Sequence, residues 1–245
     1  MRWTLLAFVL LCAVSAGLLA VRHWYRAELV RAEYADPPTG MVFVPAGSFL
    51  IGSDDPGADH DEGPLREAFV EAFYIDRHEV TNAEFKAYDP DHAYAEGRDD
   101  YPVTGITLAR AKAYAAWAGK RLPSVEEWEK AARGTDGRSY PWGREFEAGR
   151  ANIVDGTGLE PVGQYPAGAS PYGAEDMTGN AWEWVETIHR DSWLAGNQRL
   201  KREVIKGGAF SYGAYQGRAS YNGFEPPGGT CNDVGFRCVK DAKPL

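Results

Sequence analysis

The hexapeptide at residues 179–184, Gly-Asn-Ala-Trp-Glu-Trp, constrains the fold of this chain most, because it combines a tight turn with two tryptophans. Asp176 and Glu183 add two carboxylates to an amide and several backbone carbonyls within eight residues. Such oxygen donors suit Ca²⁺, which takes about six to eight oxygens and accepts irregular geometry. The alternative is that both carboxylates stabilise turns while the tryptophans fill a core, since acidic turns outnumber calcium sites.

Glycine and aromatic residues are both abundant in the 245 residues, which include 28 Gly, 8 Trp and 13 Tyr. Rigid aromatic side chains anchor a core, and glycine permits many irregular turns. A helical bundle would not need so much glycine, so the composition favours a loop-rich α+β fold. The net charge of −9 argues against a general electrostatic nucleic-acid binder.

An uncharged apolar run at residues 3–21 predicts a membrane-spanning helix. At a rise of about 1.5 Å per residue, it nearly matches a hydrocarbon core of about 30 Å. The competing interpretation is a signal peptide cleaved after the small residues 14–16. The length of the run, and the presence of Arg2 as the one basic residue before it, favour an uncleaved anchor.

A short proline-containing linker, residues 36–40, divides the chain. We expect residues 1–35 to form the anchor and a juxtamembrane helix, and residues 41–245 to form one domain. Capping signals in that domain predict three helices, which begin after Thr81, Thr107 and Ser124. Strands are expected at 41–44, 48–51 and 69–76, and near 160–165, 203–210, 216–222 and 235–239.

Cys231 and Cys238, the two cysteines outside the apolar run, are close enough in sequence to pair. A disulfide between them would stabilise the fold by about 2.5 kcal/mol in the chain-entropy model and would need an oxidising compartment. The alternative is two unpaired core thiols. A calcium site also fits an extracytoplasmic face, so we expect a single-pass membrane protein with its domain in the periplasm.

A series of segments, in the same order along the chain, resembles the formylglycine-generating enzyme family, also called sulfatase-modifying factors. The resemblance covers roughly residues 40–240 and implies a single irregular domain of the C-type-lectin-like kind. The matching segments are 41–49, 74–76, 79–82, 102–103, 117–124, 127–129, 131–134, 140–143, 176–184, 206–208 and 235–238.

The resemblance also implies two structural calcium sites. At the first, the ligands would be the side chains of Asp176 and Glu183 and the carbonyls of Gly179 and Ala181. At the second, where the loop is shorter than in the family, the ligands would come from four residues. They are Asn152, Ile153, Asp155 and Thr157.

The copper chemistry of the family is not expected in this chain. The family's enzymes oxidise a sulfatase cysteine with two cysteines that hold Cu(I), a soft ion suited to thiolates. The pair follows a Gly-Gly-Ser sequence, but here Gly207 and Gly208 precede Ala209. Tyr212 stands at the first cysteine position, and no cysteine occurs between it and Cys231.

The sequence therefore predicts a non-catalytic accessory or structural subunit that binds a partner protein in a membrane or envelope complex. The alternative is an enzyme of the same fold that uses a different metal or residue set in the cleft. Converging titratable groups at Tyr212, Arg218, Asn222 and Glu225 would favour the enzyme, and aromatic filling would favour a binding module.

Overall fold

The computed structural model describes residues 31, 33–154, 156–190 and 201–245. The predicted membrane span at 3–21 and most of the predicted juxtamembrane helix lie outside these residues. Among the residues described, no helix is both long and apolar enough to span a bilayer.

The structure divides inside the predicted linker, between Asp36 and Pro37. Pro37–Asp241 forms one compact unit, which is the domain. Residues 242–245 belong to the other unit, where Tyr34 and Pro244 form an isolated antiparallel bridge.

The described part of the domain contains nine short strands and three helices. In chain order they are β1 (Met41–Val44), β2 (Gly47–Ile51), β3 (Arg66–Val70), β4 (Phe73–Asp76), α1 (Asn82–Tyr88), α2 (Leu108–Trp117), α3 (Val125–Arg133), a 3₁₀ turn (Pro166–Gly168), β5 (Trp182–Arg190), β6 (Lys201–Lys206), β7 (Gly223–Glu225), β8 (Val234–Gly235) and β9 (Val239–Asp241). This mixture of helix and sheet matches the α+β class that the sequence predicts.

The three helices begin where the capping signals predict. Thr81 and Ser124 each accept a hydrogen bond from the third helical amide. The carboxylates of Glu84 and Glu127 in turn accept from the backbone amides of these two cap residues. Thr107 accepts from the amide of Arg110 in the same way. These interactions span only three residues, which is why they can be read from local sequence.

The strands pair differently from the simple order of the chain. β4 lies at the centre of a three-stranded sheet, between β1 and β9, whereas β2 pairs with β3 in a separate ribbon. The prediction of a single strand at 69–76 is wrong, because the chain leaves the two-stranded ribbon at Val70 and enters the three-stranded sheet at Phe73. Glu71 and Ala72 lie between the two strands, and a single charged residue in a mostly apolar segment did not indicate this change of sheet.

The third sheet has four strands in the order β7-β6-β5-β8 and carries the segments that form the candidate site. β6 ends at Lys206 because Gly207 and Gly208 have φ angles of 96° and 77°, so the strand expected near 203–210 is shorter. No strand forms at 216–222, where the amides of Gln216 and Gly217 instead donate to the carbonyl of Gly213. Residues 160–165 likewise form no strand.

Two hydrophobic clusters form the core, and β5 separates them. Trp182 and Trp184 pack into one cluster with Phe85 and Phe236. Val185, from the opposite face of the strand, packs into the other cluster. The alternation of side chains along a strand therefore directs Glu183 towards the second cluster, where Trp128 lies.

Candidate functional site

The turn at 176–180 is held by backbone geometry that its sequence favours. Asp176, Gly179 and Asn180 have φ angles of 56°, 80° and 60°, a region that Gly, Asn and Asp tolerate best. A Cβ atom at Gly179 would lie 2.4 Å from the carbonyl oxygen of Asn152. Glycine is therefore required here both for its φ angle and for the close approach of the two chain segments.

Asn180 connects this turn to the segment that contains the second predicted calcium site. Its backbone amide donates to the carbonyl of Asn152 at 2.8 Å, and its Oδ1 accepts from Asn152 Nδ2 at 3.1 Å. Its Nδ2 donates to Glu79 Oε1 at 3.1 Å. The two predicted calcium segments are thus direct neighbours, which the sequence alone does not show.

Glu183 is held by two buried donors. Its Oε1 accepts from Arg237 Nη2 at 2.7 Å, and its Oε2 accepts from Arg237 Nε and from Trp128 Nε1, each at 2.7 Å. Arg237 is fully buried and donates its other N–H groups to the carbonyls of Asp76, Arg77 and Glu175. Burial disfavours the Arg237 cation, but Glu183 and other nearby carboxylates outweigh this and raise its pKa.

These contacts bear on the fit of the first predicted calcium site. Both oxygens of Glu183 face Arg237 and Trp128 rather than an open position. Within the described part of the chain, no three His, Cys, Asp or Glu side chains are arranged to hold a metal ion. Asp176 Oδ2 accepts from the amide of Gly163 at 2.6 Å.

Glu79 contributes a further carboxylate to this buried region. It is 1% exposed, and its Oε2 has no hydrogen-bond partner. Burial, reinforced by the nearby carboxylate of Asp176, raises the pKa of Glu79 well above its ordinary value. Glu79, Asp176 and Glu183 therefore share one guanidinium, and this excess of buried carboxylate would be relieved by a proton or a cation. Sequence reasoning missed this role, although Glu79 lies in a segment that carries the family resemblance.

The residues of the second predicted calcium site lie in a loop with strained backbone. Val154 has a φ of 73°, which is unusual for a β-branched residue, and its amide donates to the carbonyl of Tyr212 at 2.8 Å. Asn152, Ile153 and Thr157 line a cavity of about 260 Å³. Asp155 lies outside the described residues, so its predicted role as a ligand stays a prediction.

Aromatic side chains cluster around Tyr212, which stands where the resemblance places the family's first oxidase cysteine. We call the set Trp182, Tyr212, Tyr215, Arg218 and Tyr221 the aromatic cleft. Tyr212 meets Trp182 edge to face, with ring centroids 5.2 Å apart and planes at 80°. The ring centroid of Tyr221 lies 6.0 Å from that of Trp182 and 5.5 Å from that of Tyr215. Tyr212 and Tyr215 each remain 39% exposed.

Arg218 and Asn222, two of the polar residues expected near Tyr212, are paired with neighbouring residues. Arg218 Nη2 donates to Glu62 Oε1 at 2.6 Å, and its guanidinium lies 4.1 Å from the centroid of Tyr215. Asn222 accepts from Lys206 Nζ at 3.1 Å and donates to the carbonyl of Asp61. Arg218 and Asn222 thus make their contacts within the domain.

The disulfide that the sequence allowed is not formed, because Cys231 and Cys238 are both free thiols. Cys238 is buried in the core cluster with Phe236, and its amide donates to Asp76 Oδ2. Cys231 Sγ instead donates to Glu225 Oε1 at 3.2 Å. Burial raises the pKa of Cys231 to about 11, which disfavours a reactive thiolate.

Comparison with known proteins agrees with this geometry. The sulfatase-modifying factor enzyme 1-like domain matches residues 26–242. The chain belongs to this family. It is 32% identical to the formylglycine-generating enzyme of Bos taurus, over 94% of this chain and 83% of that protein.

A relative that is named as inactive and a solved structure match as well. The inactive C-alpha-formylglycine-generating enzyme 2 of Bos taurus is 28% identical, over 82% of this chain and 88% of that protein. The structure of PvdO from Pseudomonas aeruginosa superposes with a TM-score of 0.68 at 26% identity, and covers 82% of this chain and 94% of that one. The present chain carries Ala209 and Tyr212 where the family resemblance places the serine and the first oxidase cysteine.

Proposed function

We propose that this chain is a non-catalytic member of the family that binds a partner protein through the aromatic cleft. The observation that carries the proposal is Tyr212, which packs against Trp182 where an oxidase would need its first copper-binding cysteine. A phenol cannot replace a thiolate as a ligand for Cu(I). The similarity to an inactive relative supports a role without oxidase chemistry.

The composition of the aromatic cleft supports binding as its role. Tyrosine, tryptophan and arginine are the residues most enriched at the energetic centres of protein interfaces. The cleft combines all three, and its rings are fixed by contacts with one another. Because these side chains are already ordered, a partner would find contact area at little conformational cost.

The proposal includes a membrane anchor and a structural cation. The apolar run at 3–21 supports attachment to a membrane, with the domain on the periplasmic side as part of an envelope complex. For calcium, the buried carboxylates of Asp176 and Glu79 are the better candidate ligands, because Glu183 is held by Arg237. The carbonyls of Gly179 and Ala181 would complete the oxygen set.

A paired experiment tests the proposed function. The purified full-length protein, loaded with copper, should form no formylglycine on a cysteine-containing sulfatase peptide, as measured by mass spectrometry. Formation of the aldehyde would contradict the non-catalytic role. In intact cells, a photo-cross-linking residue at position 212 should yield one defined adduct, whereas the same residue at Trp117, an exposed position on α2, should not. Equal labelling from both positions would contradict binding at the cleft.

A further inference from the structure

We propose that the aromatic cleft recognises a cationic segment of its partner, in which arginine or lysine side chains contact the tyrosine rings and the surrounding carboxylates. This inference rests on the proposed binding function and specifies the chemistry of the partner.

Carboxylates surround the aromatic cleft on several sides. Asp59 accepts from the hydroxyl of Tyr215 at 2.8 Å. Asp61 has a buried Oδ2 without a hydrogen-bond partner. Arg218, the guanidinium within the cleft, is neutralised by its short ion pair with Glu62. Arg218 therefore balances only one of the three neighbouring carboxylates, which are those of Asp59, Asp61 and Glu62.

A second group of carboxylates lies on the side formed by β6 and β7. Glu203 and Glu225 are direct partners across these antiparallel strands, and like charges placed directly opposite destabilise a sheet. Glu203 Oε2 is buried without a hydrogen-bond partner, and Glu225 Oε1 accepts a hydrogen bond from the thiol of Cys231. Glu225 is partly exposed, and a cation that pairs with its carboxylate would reduce this repulsion.

The pKa values of two tyrosines in the aromatic cleft also indicate a negative local potential. Burial raises the pKa of Tyr221, and Asp59 and Asp61 add to the effect. Burial also raises the pKa of Tyr212, with Asp233 adding to it. These carboxylates disfavour a phenolate because they make the local potential negative, and the same potential attracts a cation and repels an anion.

The aromatic rings supply the second element of recognition. A guanidinium within about 6 Å of a ring centroid gains cation–π attraction. Arg218 already makes this contact with Tyr215, at 4.1 Å. Tyr212 retains 39% exposure beside Trp182, so a ring surface is open to a cation from a partner. Arginine and lysine are the side chains that combine positive charge with this preference for aromatic rings.

Three peptides of equal length test the inference with the full-length protein in detergent. Their repeats would be Gly-Arg, Gly-Gln and Gly-Glu, and binding would be followed by titration and by NMR shifts of the cleft residues. We expect the Gly-Arg peptide to bind most tightly, and we expect its affinity to fall as the salt concentration rises. Tyr212→Ala should weaken it about fivefold or more, whereas Tyr212→Phe should retain it, because the ring remains.

Two further variants separate the cleft from the rest of the surface. Asp233→Asn removes a carboxylate without touching an aromatic ring and should weaken binding of the Gly-Arg peptide, even if Tyr212→Ala does not fold. Phe69→Ala removes an exposed ring from β3 and should leave binding unchanged. If Asp233→Asn and Tyr212→Ala both fold and bind the peptide normally, the inference is wrong.

The outcomes also distinguish this inference from the proposed function. Equal binding of Gly-Gln and Gly-Arg at Tyr212 would overturn the cationic partner and leave the cleft as a binding site. If no peptide binds but position 212 still cross-links one defined protein in cells, the inference likewise fails and the function stands. Failure of both the peptides and the cross-link would remove both proposals.

Discussion

Among single residues, Glu183 and Arg237 form the pair with the greatest consequence for stability. Both side chains are fully buried, and they meet through two hydrogen bonds of 2.7 Å. Removing one partner of a buried ion pair leaves the other charge uncompensated, which typically costs about 3–5 kcal/mol. The pair therefore holds the beginning of β5 to the segment between β8 and β9.

We expect Glu183→Gln to lower the free energy of unfolding by about 3 kcal/mol, because the Arg237 cation would stay buried without its counter-charge. Glu186→Gln in the same strand is the matched control, since Glu186 is exposed and pairs with Lys112 at 3.4 Å. That change should cost about 0.5 kcal/mol or less. Urea denaturation measures both, and equal losses would contradict the structural role of the buried pair.

Calcium provides a second prediction at this scale. If Asp176 and Glu79 hold the ion, calcium at about 100 times its dissociation constant should stabilise the wild type by about 2.7 kcal/mol. Glu79→Gln should remove this response in thermal melts made with calcium and with chelator. Glu183→Gln should lower the melting temperature equally in both conditions. If Glu183→Gln loses the response and Glu79→Gln keeps it, the ligand set that the sequence predicts is supported. If the wild type shows no response, the proposal that calcium binds here is wrong.

At the scale of elements, the capped helices could be predicted from sequence and the strand partners could not. The bonds that begin α1 and α3 join residues three positions apart. By contrast, the bond from Asn180 to Glu79 spans 101 residues and that from Arg237 to Glu183 spans 54. Family resemblance identified the segments at the site, but only the folded chain shows that Glu79 belongs to the buried cluster and that β1 pairs with β4.

Lys130 gives α3 a pH-dependent contribution. Its Nζ donates to the carbonyls of Pro45 and Gly47, at 2.6 and 2.9 Å. Burial lowers its pKa to about 8, from an ordinary value of 10.5. Between these two values the unfolded chain binds more protons than the folded one, so this residue's contribution to stability rises with pH across that window.

We expect the difference in unfolding free energy between the wild type and Lys130→Met to shift in favour of the wild type as the pH is raised from about 7.5 to 9.5. Lys112→Met, which changes a lysine on the outer part of α2, is the control and should show a smaller shift. Urea denaturation at each pH provides the measurement. A shift in the opposite direction would contradict the assignment of this dependence to Lys130.

At the scale of the whole molecule, the fold is that of an oxidase family while the aromatic cleft has the composition of an interface. Tyr212 stands where the family's enzymes have a cysteine, so this copper ligand is absent, and its ring packs on Trp182. Restoring a cysteine at position 212 should therefore not restore oxidation, because the surrounding rings and Ala209 are not arranged to support it. Formylglycine produced by Tyr212→Cys alone would show that the cleft remains close to catalytic geometry.

The last prediction concerns attachment of the domain to the membrane. We expect residues 1–35 to remain in the mature protein, because the uncharged run at 3–21 has the length to span a bilayer. Ala13, Gly17 and Ala20 recur at the spacing of one helix face, and small residues allow close helix packing in lipid. Gly17→Leu should therefore weaken recovery of a membrane partner without releasing the protein from the membrane, and a change at Leu18 to Ile serves as the matched control. Intact-mass measurement decides the first point, since a mature protein that lacks residues 1–16 or 1–20 would have had its leader cleaved.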